Sequence, residues 1–235
     1  MNPTLILALW RQRATSPVRL ALLGMLTGMP LLMLAFAPMN LSVLGNAQGL
    51  ILVLGAGMIG QDLSNGVLQL LFARPVTRPE YVMNRWLGVA GAGFAVSVVQ
   101  IALACAILAA RGHAAPGPVV LAFTAGRLVE CLGLAAVLAL FSSLIGGFGD
   151  LGLYLLTSLG STIVQMAGQV KSWPWLQRLG GELLASLNPA IDFDLLMNTS
   201  PMPWFPIVAW LSTVTACLAV AILVINRREL SYASS

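Results

Sequence analysis

The sequence predicts an all-α, polytopic membrane protein with six transmembrane helices. Three observations carry this. Apolar residues make up 58% of the chain and charged residues only 9%, outside the range of soluble globular proteins. Six apolar runs, at about 18–37, 43–60, 86–110, 119–145, 150–169 and 204–225, each reach the ~18 residues that a membrane-crossing helix needs. The runs are continuously apolar, unlike the alternating strands of a membrane barrel, and backbone in lipid must bond within its own segment. A single transmembrane domain, 1–235, accounts for the chain. No small-residue cleavage site follows the first apolar residues, so no cleaved signal peptide is expected.

Residues 2–16 read as an interfacial helix. Asn2 can cap it and Pro3 suits the first helical position. Leu5, Ile6, Leu9 and Trp10 form its apolar stripe, Trp10 serving as a headgroup anchor, and Ser16-Pro17 ends it. The other reading is a simple extension of span one. That span carries Gly24 and Gly28, four apart, which lets another helix approach closely, and Pro30, which breaks its hydrogen-bond ladder. Span two ends in Gly55, Gly57 and Gly60.

The stretch Gln61–Gly88, QDLSNGVLQLLFARPVTRPEYVMNRWLG, is the longest charged passage in the chain. Leu63, Val67, Leu70 and Leu71 repeat at helical spacing, with Asp62, Asn65 and Gln69 on the opposite face. Pro75 stops that helix at Arg74, and Thr77-Arg78-Pro79-Glu80 is a capping box for the next. The pattern predicts a short surface helix, a sharp break, and a second helix rising into span three. Gly88, Gly91 and Gly93 on that span's lower half read as tight packing or as a hinge.

Span four holds Arg127 and Glu130, three residues apart on one face. Charges within a span are expensive and face a partner or a cavity. Two readings stand: an i,i+3 ion pair whose arginine snorkels to the headgroups, or a polar contact for cargo. Ser142-Ser143 and Gly146–Asp150 form a brief turn before span five. The segment 171–203 is expected outside, with a capped helix starting at Ser172-Trp173-Pro174 and stopping at Asn188-Pro189. Short helices there dip into the outer leaflet, and Trp173, Trp175 and Trp204 form an aromatic belt.

Sidedness follows from the basic residues. Arg11, Arg13, Arg19, Arg74, Arg78, Arg85, Arg227 and Arg228 are eight of the twelve, and six spans place all of them on one side. The positive-inside rule makes that side cytoplasmic, with both termini and the 61–85 segment in the cytosol.

The inventory excludes much chemistry. The one lysine, Lys171, follows Val170, so no Walker A loop is present; the one histidine, His113, rules out paired-histidine metal sites. Cys105, Cys131 and Cys217 each sit in an apolar run and read as small hydrophobes. No catalytic residue, metal site or cofactor is expected in this chain, nucleic acid is not a partner, and the alternative to an energised transporter subunit is a secondary transporter or channel.

The passage resembles the cytosolic segment of ABC-2 type transporter permeases. Asp62, Asn65-Gly66, Leu70-Leu71, Arg74-Pro75-Val76-Thr77-Arg78 and Arg85-Trp86-Leu87 stand at the places of that family's motif. Leu187-Asn188-Pro189 and the ending Arg227-Arg228-Glu229-Leu230 are similar to its later signatures. The resemblance implies the membrane subunit of an ABC exporter in a bacterial cytoplasmic (inner) membrane. Two permeases, as a homodimer or related heterodimer, form the pathway. Two separate ATPase subunits bind ATP and Mg, and accessory periplasmic proteins belong to the implied partners. Asp62, Asn65, Gly66, Gln69 and Arg74 would couple the pathway to the ATPase, with Asp62, Asn65 and Gln69 facing it.

Overall fold

The computed structural model describes residues 10–11, 16–37, 40–68, 77–193 and 204–227. Most of the 2–16 segment, Gln69, Arg74 with its Pro75 break, and the Arg228–Leu230 ending lie outside these residues. Every regular element described is a helix, and six helical stretches, one of them the interrupted Leu41–Ser64, are long and apolar enough to cross a membrane.

Helix α1 is Pro17–Phe36, started by proline at its first turn and continuing through Pro30. The predicted second span is not one helix. It divides into a 3-10 turn, Leu41–Leu44, then α2, Gln48–Gly55, and α3, Gly60–Ser64. Glycine at Gly57 adopts φ +69° in the second break, a left-handed conformation that a β-carbon disfavours. The unbroken apolarity of 43–60 conceals these breaks, because it reports burial and not backbone continuity.

Helix α4 is Arg78–Ala110. The Thr77 hydroxyl accepts from the Glu80 amide at 3.4 Å, so the forward half of the predicted capping box is formed. Helix α5 is Gly117–Leu144, α6 is Gly149–Val170, α7 is Pro174–Leu187 and α8 is Trp204–Arg227. The interrupted second span and α5 are the most enclosed segments. Along α5, Ala135, Ala136 and Ala139 are buried among Leu134, Val137 and Leu138. Small side chains let neighbours close in from several sides, as association in lipid requires. Ile51, Met58 and Ile59 pack there with Val82 and Val89 of α4, Tyr154 of α6, and Leu218 and Ala221 of α8.

The described part of the 171–203 segment, residues 171–193, is seated against α5 and α6. Helix α7 folds back along α6, its Gly180 against Gln165 and its Gln177 against Gly168; a β-carbon on either glycine would stand 2.4–2.5 Å from the other backbone. With only 14 residues α7 is too short to cross a bilayer. Its end goes deep. The Pro189 carbonyl lies where a β-carbon on Gly133 would be, 2.4 Å away, halfway along α5. Apolar Leu187 and Ile191, both buried, draw it inward.

Candidate functional site

A peptide unit inside an apolar bundle needs a hydrogen-bond partner, and each break in the second span removes several. Buried polar side chains of α5 and α6 supply them.

At the first break Arg127 reaches across to the carbonyls of Leu44 and Gly45, at 3.0 and 2.6 Å, closing the C-terminal end of the 3-10 turn. Glu130, one turn on, accepts from the Ala47 amide at 2.8 Å and from the Gln48 amide, where α2 begins. The pair thus matches the polarity of two helix ends, guanidinium on carbonyls and carboxylate on amides. Their mutual contact is looser, 3.7 Å from Arg127 Nη1 to Glu130 Oε2. The Arg127 side chain is 3% exposed, and its guanidinium lies 4.9 Å from the Phe123 ring centre. It does not snorkel. The ion pair expected from the sequence exists, but its main work is to hold the broken backbone of another span.

A cavity of about 290 Å³ opens beside this clamp, bounded by Gly45 and Asn46 of the break, α5 from Ala122 to Glu130, and the chain from Asn188 to Phe193. Arg127 Nη1 is buried there without a hydrogen-bond partner. A polar relay runs from the clamp to the cavity wall: the Gln48 amide donates to the Tyr154 hydroxyl at 2.9 Å, and Tyr154 donates to Asn188 Oδ1.

The second break is held at the arginine-rich end of the bundle. Ser142 Oγ accepts from both Ile59 N and Gly60 N, at 3.0 and 2.8 Å. Asp150, fully buried, accepts from Gly57 N at 2.7 Å and from its neighbour Leu151 N. Gly147 N donates to the Gly60 carbonyl at 2.7 Å. Arg19 donates to the Ala56 carbonyl at 3.3 Å, lies over Phe148 and feels the Asp150 charge. The turn at 145–149 is therefore the socket for the second break. Nothing in its sequence but an acidic residue at the mouth of an apolar run points to this.

The predicted coupling residues divide. Asp62 does not face outward. It is 7% exposed, accepts from the Tyr81 hydroxyl at 2.6 Å, and pairs with Arg85. Helix α3 is only five residues long and ends at Asn65-Gly66, with Gly66 at φ +69°, so the helical phase read across 62–71 does not hold. The inward set changes accordingly: Leu68 is buried, Leu63 half-buried and Val67 exposed. Asn65 and Gly66 stand exposed at the turn. Gln69 and Arg74 are outside the described residues.

The same end carries three further ties. Arg78 donates to the Ile225 and Asn226 carbonyls at 3.0 and 2.7 Å, capping α8. Trp86 donates to the Leu132 carbonyl at 2.8 Å. The Trp10 indole donates to the Gly88 carbonyl at 2.8 Å and lies against Gly91, so this residue docks on α4, and the glycines of that helix receive it. These contacts place Arg19, Asp62, Arg78, Arg85 and the end of α8 together. At the opposite end Arg111 donates to the carbonyls of Leu34 and Ala37, closing α1. No family model, curated protein or solved structure gives a significant match to this chain.

Proposed function

We propose that the chain is the permease subunit of an ATP-driven ABC-2 type exporter in a bacterial cytoplasmic membrane. The arginine-rich end and both termini face the cytosol, two copies line the pathway, and separate ATPase subunits dock below. The observation that carries this reading is the exposed Asn65-Gly66 turn and what stands behind it. One residue group back, Asp62 is fastened to Tyr81 and Arg85 of α4, and Gly57–Gly60 are fastened to Ser142, Gly147 and Asp150 around the α5–α6 turn. A push on Asn65-Gly66 is thus passed to three long helices through hydrogen bonds, without a soft linker. A partner whose position depends on bound ATP would then shift the populations of two arrangements of these helices. The family motif read from Asp62 to Leu87 supplies the identity of that partner. Asp62 acts within this lever as its fastening, and Asn65 and Gly66 as the contact.

Co-purification of the tagged chain with an ATPase subunit, followed by reconstitution in vesicles, tests the reading. Asn65→Arg or Gly66→Lys is expected to leave insertion intact while abolishing the permease's effect on the partner's ATP hydrolysis. Absence of an ATPase partner, or unchanged coupling in both variants, overturns it.

A second reading has one observation of its own: an interrupted span with a buried Arg127–Glu130 pair matches the plan of ion- or solute-coupled secondary transporters. It predicts transport by the purified chain alone under an ion gradient, without ATP.

A further inference from the structure

We propose that the cavity beside Arg127 binds an uncharged polyhydroxylated solute the size of a single sugar ring, with two neighbouring hydroxyls spanning Arg127 and Glu130. Three pieces of chain far apart in sequence enclose the cavity: the first break of the second span, one face of α5, and the stretch from Asn188 to Phe193 after α7. Its wall combines the rings of Phe123 and Phe193 with a few hydrogen-bonding groups, the composition of a ligand site and not of a packing gap.

The clamp defines the chemistry of the ligand. Arg127 Nη2 is committed to the Leu44 and Gly45 carbonyls, while Nη1 is buried and has no hydrogen-bond partner. A buried charged donor gains by meeting an oxygen. Glu130 Oε2 lies 3.7 Å from that nitrogen, outside hydrogen-bond range. Glu130 accepts from the Ala47 and Gln48 amides, and a carboxylate offers about four acceptor sites, so capacity remains. A free donor and a usable acceptor therefore stand side by side. An added ion of either sign meets an opposite and a like charge at this pair and gains little from it. A hydroxyl accepts as readily as it donates, so one can accept from Nη1 while its neighbour donates to Glu130. Further hydroxyls find the carboxamides of the exposed Asn46 and of Asn188, each of which both donates and accepts. Asp192 also borders the cavity, but it already has an interaction of its own, and the recognition makes no use of it.

Size gives the second limit. At ~30 Å³ per water, 290 Å³ corresponds to about ten water volumes, room for one ring with its hydroxyls and too little for a chain of sugars. A second cavity of about 520 Å³, between Asn40–Ser42 and His113–Val119, shares Phe123 with the first. It gives the solute a way in from the end opposite Arg78 and Arg85. This proposal does not depend on an ATPase.

The test uses the full chain in detergent micelles, with saturation-transfer NMR showing which solutes touch it. Contact is measured directly because polyols also stabilise proteins by exclusion from their surface, which would confound melting curves. myo-Inositol is the probe, and its fully O-methylated ether, cyclohexanol and inorganic phosphate are the controls. Transfer to myo-inositol is expected, with the ether and cyclohexanol roughly tenfold or more weaker, since each forfeits a hydrogen bond to a charged group. Gly126→Ala should retain the transfer and Gly126→Leu abolish it. A β-carbon at Gly126 meets only Phe193 and Ile191, at 3.9–4.0 Å, whereas a leucine takes up the cavity. Monoglucosyl diacylglycerol added to the micelles separates the sources. Displacement of myo-inositol by it, and not by plain diacylglycerol, assigns a lipid-borne sugar; no displacement by either assigns a free solute. The proposal is overturned by no transfer to myo-inositol, by equal binding of the ether or cyclohexanol, by displacement with inorganic phosphate or plain diacylglycerol, or by transfer unchanged in Gly126→Leu. Should the leucine variant not fold, the solute series decides the matter alone.

Discussion

Two neighbouring serines offer a sharp check on how the second break is held. Ser142 and Ser143 are both fully buried, adjacent in one helix, and differ in what their hydroxyls do. Ser142 Oγ accepts from two backbone amides of the broken span; Ser143 Oγ donates to the Leu140 carbonyl of its own helix at 2.7 Å. Replacing Ser142 with alanine removes one oxygen and leaves Ile59 N and Gly60 N without that acceptor. At about 1–3 kcal/mol for each buried donor left unmade, the loss is roughly 2–6 kcal/mol, the lower figure applying if water enters from the arginine-rich end. Ser143→Ala removes a donor from a carbonyl within a helix, a net loss of about 0.5–1.5 kcal/mol. The volume change is the same in both, so packing cancels in the comparison. Reversible unfolding in mixed micelles, followed by far-UV circular dichroism against the mole fraction of denaturing detergent, gives both values. Equal losses for the two variants would refute the socket, since then Ser142 contributes no more than an ordinary helix serine.

Other consequences follow from the same contacts. Gly60→Ala should be among the most damaging single changes, because its β-carbon would stand 2.6 and 2.8 Å from the carbonyls of Gly147 and Ile145; Gly66→Ala, with open space but φ +69°, should cost only about 1–2 kcal/mol, both read as yield and melting point of the purified chain. Asp62→Ala and Tyr81→Phe should each lower stability by about 1–3 kcal/mol, and the double variant should lose clearly less than their sum, because both remove the Tyr81–Asp62 bond; additivity in unfolding titrations would count against a shared bond. Glu130→Gln keeps an oxygen for the Ala47 amide but loses its charge, so it should cost less than Glu130→Ala by about 1 kcal/mol or more in the same titration; equal costs would mean the carboxylate does not cap α2.

The six spans were legible because each rests on a local property, a run of side chains too apolar for water and long enough for the bilayer. The helix starts at Thr77-Arg78-Pro79 and Pro174 were legible for the same reason: proline and a capping hydroxyl act within one turn. The orientation of Asp62 was not. Helical phase carries a residue's direction only while the helix lasts, and α3 ends three residues later at Asn65-Gly66. The signal that could have turned Asp62 inward was the combination of one acid with Tyr81 and Arg85 across a short connection, a pairing that spacing alone leaves open.

Sequence by itself determined that this chain is a bundle of membrane-length helices, which of its ends gathers arginines, and that Arg127 and Glu130 share one face of a span. Those are consequences of transfer free energy, which each residue carries wherever it lies. Only the tertiary structure decided what they face. The two breaks in the second span and the sockets made by Arg127–Glu130 and Ser142–Asp150 depend on hydrogen bonds between residues about 80 to 90 positions apart. A buried amide requires a partner, but the requirement does not say which, and that choice is made only when the helices pack.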